Sequence, residues 1–424
     1  MLLLFLTQTN KGDHMKFSQL PQNLKVRLVS SFFNRVAMHA VLPFMALFFT
    51  HEKGKIYAGT ILMISVGISF CANILGGYSA DRWKRKNILI ISAVSAATMV
   101  TGMTICLIPQ HTPITLFTFF YLLFVFSSDF GMPAMEAIVL DSTTYENRKD
   151  VYALEYWLIN MSFSIGSVLG GVLYVKHQFA LFILLAVINW SLALCYIFLL
   201  QGDDRQKNVK LHNNMFKDLW NSYKIAFKDT RFVILIAGAM CVSSAESMLS
   251  SYISVRLAET FEPITIFGFK LEGVRMFSLL SLENTLLVVC TTFIVSKMTN
   301  KMNYKTALIG GLIIYGVGYS LMMSGNGFYY LLILGIIATL GELMYSPIYY
   351  TEQANRIPED RRGAYLAFAS FSHNGSTLLS HGALIIGTFL LPWHMSMLLA
   401  TVVLLGICCI YFALYIKKEK ECRI

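Results

Sequence analysis

The sequence predicts an all-α integral membrane protein, with twelve transmembrane helices in two pseudo-symmetric bundles of six. Of its 424 residues, 56% are hydrophobic and only 14% are charged, whereas a soluble domain carries about 25% charged residues. Mean hydropathy is +0.59, and apolar runs of the roughly 20 residues needed to cross a bilayer recur along the chain. A weak internal repeat relates the two halves. Together these features predict that lipid surrounds most of the chain.

Twelve apolar stretches are the predicted spans. The fourth is interrupted by Asp129 and Glu136, and the seventh by Glu246. We expect the spans at about 26–50, 56–80, 87–109, 114–141, 152–174, 178–200, 231–255, 273–297, 304–324, 327–351, 362–388 and 391–416.

Basic residues are concentrated in alternate connections between these stretches, and the intervening loops at 109–113, 324–327 and 391–393 carry no Lys or Arg. Because positively charged loops stay cytoplasmic, we expect a multi-pass protein of the cytoplasmic membrane with both termini in the cytoplasm. The opening segment MLLLFLTQTN fits neither a span nor a signal peptide. Met15 is an alternative start.

The longest polar connection divides the chain near its middle. The repeat supports this division, since Glu146, Arg148, Lys149 and Tyr152 recur as Glu359, Arg361, Arg362 and Tyr365. Repeated halves with a site at their interface are typical of secondary transporters. We therefore predict a cytoplasmic segment at 1–25, a first bundle at 26–200, a linker at 201–230, a second bundle at 231–416 and a cytoplasmic tail at 417–424.

Several functions are disfavoured by the composition. The eight cysteines form no CxxC pair and have no histidine at ligand spacing, so no metal site or other cofactor is expected. A phosphate-binding GxxxxGK[ST] loop is absent from the sequence. The net charge of +10 is explained by membrane topology and lipid headgroups better than by nucleic acid. We expect a monomer that contacts membrane lipids and is not an enzyme.

The sharpest motif is Gly77-Tyr-Ser-Ala-Asp81-Arg82-Trp-Lys84-Arg85-Lys86, at the end of the second span. It resembles the GxxxDRxGRR signature of the major facilitator superfamily, although Lys84 replaces the second glycine. The resemblance implies that Gly77, Asp81, Arg82 and Arg85 form a gating cluster on the cytoplasmic side. The alternative is an ordinary positively charged loop after a helix.

A second resemblance runs in order from about residue 20 to about 380. Its segments include Asp141-Ser-Thr-Thr-Tyr-Glu146, Thr265-Ile-Phe-Gly-Phe269 and Gly341-Glu342-Leu-Met-Tyr345-Ser-Pro347. They are similar to the LmrP-type, proton-driven multidrug exporters. The resemblance implies coupling roles for Asp141 and Glu342. A third acidic position of that family falls on Ser250 here, one turn after Glu246.

In drug:proton antiporters the fifth helix carries a GPxxGG pattern that seals the path. The corresponding residues here are Gly166, Ser167, Gly170 and Gly171, with serine in place of proline. The glycines predict close helix packing, and ordinary small-residue packing explains them equally well.

Ionisable groups inside the spans are the remaining candidates, because a carboxylate in lipid is either paired or protonated. Arg35 is expected to face a carboxylate such as Asp129 or Glu136. For Glu136 and Glu283, ion pairing or headgroup exposure explains the sequence as well as transport does, and Asp141 could simply cap a helix at the membrane rim. The proton-coupling and substrate candidates are Asp141, Glu342, Glu246, Asp129, Glu136 and Arg35.

These observations predict a secondary transporter that exports lipophilic, cationic compounds in exchange for protons. A proton-coupled importer of a peptide or other small nutrient is the alternative, favoured faintly by Tyr156–Asn160 with Gly166 but lacking an ExxER motif near Arg35. A membrane protein that transports nothing, such as a flippase partner or a receptor, is disfavoured by the intramembrane ionisable groups.

Overall fold

The structure is a computed structural model. The structure describes residues 20–108, 111–142, 148–201, 224, 226–266, 268–299, 301–358 and 362–416. At some helical positions only the backbone is described, and these include the predicted site residues Asp81 and Asp141.

The described chain is almost entirely helical and runs through twelve spans. The first span comprises α1 and α2 with a 3-10 turn between them, and the seventh comprises α8 and α9 with a π turn between them. The helices are α1 Gln22–Val41, α2 Met45–Lys53, α3 Lys55–Arg82, α4 Arg85–Cys106, α5 Ile114–Ser142, α6 Arg148–Leu173, α7 Gln178–Phe198, α8 Thr230–Ser247, α9 Ser254–Thr260, α10 Gly273–Thr299, α11 Tyr304–Met322, α12 Phe328–Asn355, α13 Arg362–Ile386 and α14 Pro392–Tyr415.

Every predicted span is confirmed as a helical segment, with ends that differ by at most five residues from the hydropathy estimate. Three local features were not predicted. Pro43 lies in the 3-10 turn Leu42–Phe44, where proline interrupts the helical hydrogen-bond pattern. A π turn covers Leu249–Ile253, and the strands β1 Ile264–Ile266 and β2 Phe269–Leu271 pair antiparallel before the eighth span.

Ten of the described segments are long and apolar enough to cross a membrane. The fifth span contributes a shorter apolar stretch, Trp157–Leu173, because charged residues occupy its first turns. The eleventh, Arg362–Ile386, carries His373, Asn374 and His381, which lower its hydropathy. These polar residues are the reason that two of the twelve spans are less apolar than the others.

Packing divides the described chain into two compact units. The first contains residues up to 38, residues 71–163 and most of the sixth span. One of its apolar clusters joins Ile88 and Leu89 of α4, Ile138 of α5 and Tyr196 of α7. The second unit contains residues 39–70 and 164–181 and the described chain from 224 onward. The domain boundaries expected from the sequence stay a prediction.

Close helix contacts in the second unit are made at small residues. A Cβ atom at Gly341 of α12 would collide with the backbone of Tyr315 in α11, and one at Gly311 would approach the backbone of Tyr345. Gly318 makes a similar contact with Ala338. In lipid the hydrophobic effect does not hold helices together, and close van der Waals packing of their backbones at small residues stabilises their association instead. The contact fixes Glu342, which follows Gly341, against the ninth span.

Candidate functional site: two groups of charged residues within the spans

The first group lies in the second half of the chain and is here called the carboxylate centre. It consists of the carboxylates Glu246 of α8 and Glu342 of α12 and of two polar neighbours, Asn284 and Thr339. Asn284 Nδ2 lies 3.3 Å from Glu342 Oε2 and 3.1 Å from Thr339 Oγ1. Glu246 and Glu342 lie close enough to interact electrostatically. Three different spans therefore contribute polar groups to one location, as a transport site between helices requires.

Tyrosines of the ninth and tenth spans surround this centre. The backbone N–H of Glu246 donates to Tyr315 Oη at 3.3 Å. The Tyr315 ring packs edge-on against Tyr319 and Tyr345, with centroids 5.0 and 5.2 Å away. All three rings lie within electrostatic range of Glu246 and Glu342. Aromatic rings beside a carboxylate are a favourable setting for an organic cation.

Glu246 is the more open of the two carboxylates. Its side chain is exposed and that of Glu342 is half-buried. Among the residues whose side chains are described, neither Glu246 nor Glu342 forms an ion pair. Two carboxylates without a cationic partner can accept protons or a cationic ligand.

Glu283, the neighbour of Asn284, lies at the same seam between the eighth and tenth spans. Its Oε2 is buried and has no hydrogen-bond partner among the described residues. The same oxygen packs against Gly335, where any Cβ atom would collide with it. Glycine at 335 therefore makes room for this carboxyl group.

The second group, in the first unit, is an arginine cluster made of Arg27, Arg35, Glu155 and Glu136. Glu155 Oε1 lies 2.5 Å from Arg27 Nη2 and 3.4 Å from Arg35 Nη2. Arg27 and Glu155 are both buried, while Glu136 is exposed and interacts electrostatically with both arginines. The sequence had suggested Asp129 or Glu136 as the partner of Arg35, but Glu155 is the residue that contacts it. Asp129 is half-buried in α5.

Arg27 was not identified from the sequence. Its Nε and Nη1 atoms are buried without a hydrogen-bond partner among the described residues. Glu155 was not predicted as a partner of Arg35 either. Glu155 lies seven residues after the first residue of α6, about 10 Å along the helix axis. A charged residue so close to a helix end is usually exposed, and the sequence therefore gave no sign that Glu155 is buried.

The gating motif lies at the end of α3 and the start of α4. Arg82 stacks on the Tyr78 ring, 3.4 Å from its centroid, and Arg85 Nη1 donates to the Ala137 carbonyl at 3.1 Å. The close helix approach in this motif is made by Gly76 rather than by Gly77, since a Cβ atom at Gly76 would collide with the Phe130 carbonyl. At Gly77 the nearest atom is Pro133 Cβ, 3.9 Å away. The side chain of Asp81 lies outside the described residues, as does that of Asp141.

The fifth-span glycines make contacts in the second unit. A Cβ atom at Gly170 would collide with the Phe44 ring, and one at Gly171 with Ser278. Gly166 is buried. Because Ser278 belongs to the eighth span and Gly171 to the fifth, this contact joins helices from the two halves of the chain.

Other contacts between the halves lie at the same side of the bundle, opposite the basic loops. Lys55 Nζ of α3 lies 2.7 Å from Glu259 Oε2 of α9. A Cβ atom at Gly59 would collide with Ile385 of α13, and the Phe44 and Phe277 rings meet edge-on at 5.6 Å. These contacts, here called the Lys55 gate, close the seam between first-half and second-half helices on that side.

Twelve helical spans that carry ionisable side chains, with no ion pair at Glu246 or Glu342 among the described residues, are typical of a membrane transporter. The chain belongs to the Major Facilitator Superfamily, whose family model matches residues 28–284 and 273–423. The superfamily expected from the gating motif is thereby confirmed. The drug:proton antiporter type stays a prediction.

Relatives of known sequence cover most of the chain. A Na(+), Li(+), K(+)/H(+) antiporter of Planococcus maritimus is 27% identical over 372 residues, which are 85% of this chain and 88% of the relative. The uncharacterized MFS-type transporter YttB of Bacillus subtilis is 25% identical over 420 residues, 95% of this chain and 98% of the relative.

Solved structures show the same fold. A crystal structure of the peptide transporter POT in complex with sulfate has a TM-score of 0.71 and 14% identity, covering 94% of this chain and 96% of the other. An auto-inhibited POT family peptide transporter has the same TM-score and identity, covering 95% and 99%. At this identity the likeness concerns the fold alone.

Proposed function

We propose that the protein is a proton-coupled antiporter that exports lipophilic cations by alternating access. The observation that carries the proposal is the carboxylate centre, where Glu246 and Glu342 share one location without an ion-pair partner among the described side chains. A site of this kind can hold protons or a cation, and binding one displaces the other. Exchange of the two follows when the site is open to each side of the membrane in turn.

The surroundings of the centre support an organic cation as the exported substrate. Tyr315, Tyr319 and Tyr345 place three aromatic rings near two carboxylates. A desolvated cation over an aromatic face gains about 2 kcal/mol, and flat rings also accept bulky apolar groups. In this proposal Glu342 and Glu246 exchange the proton, and Asp141, Asp129, Glu136 and Arg35 are further coupling candidates carried over from the sequence.

A small inorganic cation is the second candidate substrate. It is favoured by the relative from Planococcus maritimus, whose name describes exchange of sodium, lithium and potassium for protons. Two carboxylates with hydroxyl oxygens close by also suit a hard cation, which prefers oxygen ligands. The two candidates share the same exchange chemistry and differ in the size and hydrophobicity of the cation.

Everted membrane vesicles from cells that express the protein test the proposal. Respiration acidifies the lumen, and a pH-sensitive dye reports proton efflux when ethidium, tetraphenylphosphonium, Na⁺, Li⁺ or K⁺ is added. We expect proton efflux with the lipophilic cations, and its loss in Glu342→Gln and Glu246→Gln. Efflux with the inorganic cations alone favours the second candidate. Uptake of labelled dipeptides with protons, or transport that ignores a collapsed pH gradient, would overturn the proposal.

A further inference from the structure

Asn284 of the eighth span makes two contacts across the seam to the tenth span. Its Nδ2 atom lies 3.1 Å from Thr339 Oγ1 and 3.3 Å from Glu342 Oε2. Thr339 and Glu342 are three residues apart and therefore lie on the same face of α12. One amide group thus contacts both of them.

The direction of these hydrogen bonds follows from Thr339. Its hydroxyl group donates to the Gly335 carbonyl at 2.9 Å, so the single hydroxyl proton is used there. Thr339 Oγ1 can then only accept, and the amide of Asn284 must present its nitrogen rather than its oxygen. The second N–H of the same nitrogen is directed at Glu342. Glu342 Oε2 is therefore an acceptor in this arrangement.

A hydrogen bond donated to a carboxyl oxygen is stronger when the carboxyl group is ionised. We propose that Asn284 is a positioning residue that stabilises the deprotonated form of Glu342 and thereby sets the pH at which this site exchanges a proton for a cation. This inference rests on the proposed function for its transport consequence. It goes beyond that function by assigning a residue that neither the motifs nor the comparisons single out.

Other groups around Glu342 act on the same equilibrium. Glu246 lies within electrostatic range of Glu342, and Tyr315, Tyr319 and Tyr345 face the same location from the ninth and tenth spans. Glu283 lies on the eighth span beside Asn284 but is directed at Gly335. Among the described residues, Asn284 is the only side chain with a hydrogen bond to Glu342. Removing that bond should therefore raise the proton affinity of Glu342.

Infrared spectroscopy of the purified protein in lipid nanodiscs tests the inference without transport. The carbonyl band of protonated Glu342 is identified as the band that disappears in Glu342→Gln, and its intensity is followed against pH. In Asn284→Leu, which keeps a similar volume but donates nothing, we expect the midpoint to rise by about one pH unit, since a hydrogen bond to a charged group has about this strength. Thr339→Val keeps the donor to Glu342 and should leave the midpoint within a few tenths of a unit.

A matched control is Asn189 of the sixth span. It is buried, and its Nδ2 donates to the Leu185 carbonyl at 2.8 Å. Asn189→Leu removes a buried amide of the same type from the first unit, and the Glu342 midpoint should not move. A midpoint in Asn284→Leu equal to that in Asn189→Leu would overturn the inference, whether or not the protein transports cations. Conversely, a raised midpoint in a protein that shows no cation-driven proton efflux would contradict the proposed function alone.

Discussion

Lys55 at the start of the second span and Glu259 at the end of the seventh form an ion pair, with Nζ and Oε2 2.7 Å apart. The pair joins the first and second halves of the chain on the side opposite the basic loops. Alternating access requires such contacts to break in each cycle. Since both side chains are partly exposed, the pair is a weak link of at most about 1 kcal/mol.

Charge reversal at the Lys55 gate is expected to favour opening on that side. In a variant whose cysteines are replaced and whose Ile385 is changed to Cys, Lys55→Glu or Glu259→Lys should increase the rate of alkylation by a membrane-impermeant reagent up to about fivefold. Combining both changes should restore the slow rate. Lys270→Glu alters a local pair with Glu272 in the hairpin and should have no effect. A double variant as reactive as the single ones would show that the pair does not hold the gate.

Gly171 is expected to tolerate no side chain. Gly171→Ala places a methyl group against Ser278, and we expect a loss of about 1–3 kcal/mol in the free energy of unfolding. Gly67→Ala in the second span is the control, because no atom lies within 4 Å of its Cβ position. There the helix should gain about 0.5–1 kcal/mol. Thermal unfolding in detergent measures both, and equal melting temperatures would contradict the packing role of Gly171.

Glu155 is expected to be essential for the stability of the first unit. Glu155→Gln leaves Arg27 buried without a counter-charge, which costs about 3–5 kcal/mol. Glu136→Gln removes an exposed carboxylate from the same cluster and should change stability far less. Chemical unfolding of the two purified variants separates these cases. A Glu155→Gln protein as stable as Glu136→Gln would mean that the arginine cluster is well hydrated.

The sequence predicted the spans well because a bilayer imposes a fixed length of apolar chain, and that constraint is local. Side-chain pairing is not local. Arg35 was correctly expected to face a carboxylate, but Glu155 could not be chosen over Glu136 or Asp129 without knowing which faces of α1, α5 and α6 meet. Asn284 was missed for the same reason, since an amide in a span carries no charge to mark it. Gly76 and Gly77 are adjacent, and only helix rotation decides which one faces Phe130.

Replacement of Glu283 is expected to stabilise the protein. Its Oε2 is buried against Gly335 without a partner among the described residues, and a buried, unsatisfied polar atom costs about 1–3 kcal/mol. Glu283→Met fills similar space without a carboxyl group and should raise the melting temperature, whereas Glu283→Gln keeps a polar terminus and should not. A lower melting temperature in Glu283→Met would show that the carboxyl group makes a stabilising contact.

Proton–cation exchange by this protein requires that protons and a cation compete for Glu246 and Glu342, and proton release from the purified protein tests this competition most directly. Tetraphenylphosphonium is added to protein in weakly buffered detergent solution while a pH indicator is recorded. We expect release that saturates with the cation, decreases in Glu246→Gln and in Glu342→Gln, and vanishes when both are changed. Saturable binding of the cation without proton release, or unchanged release in the double variant, would contradict competition at these two carboxylates.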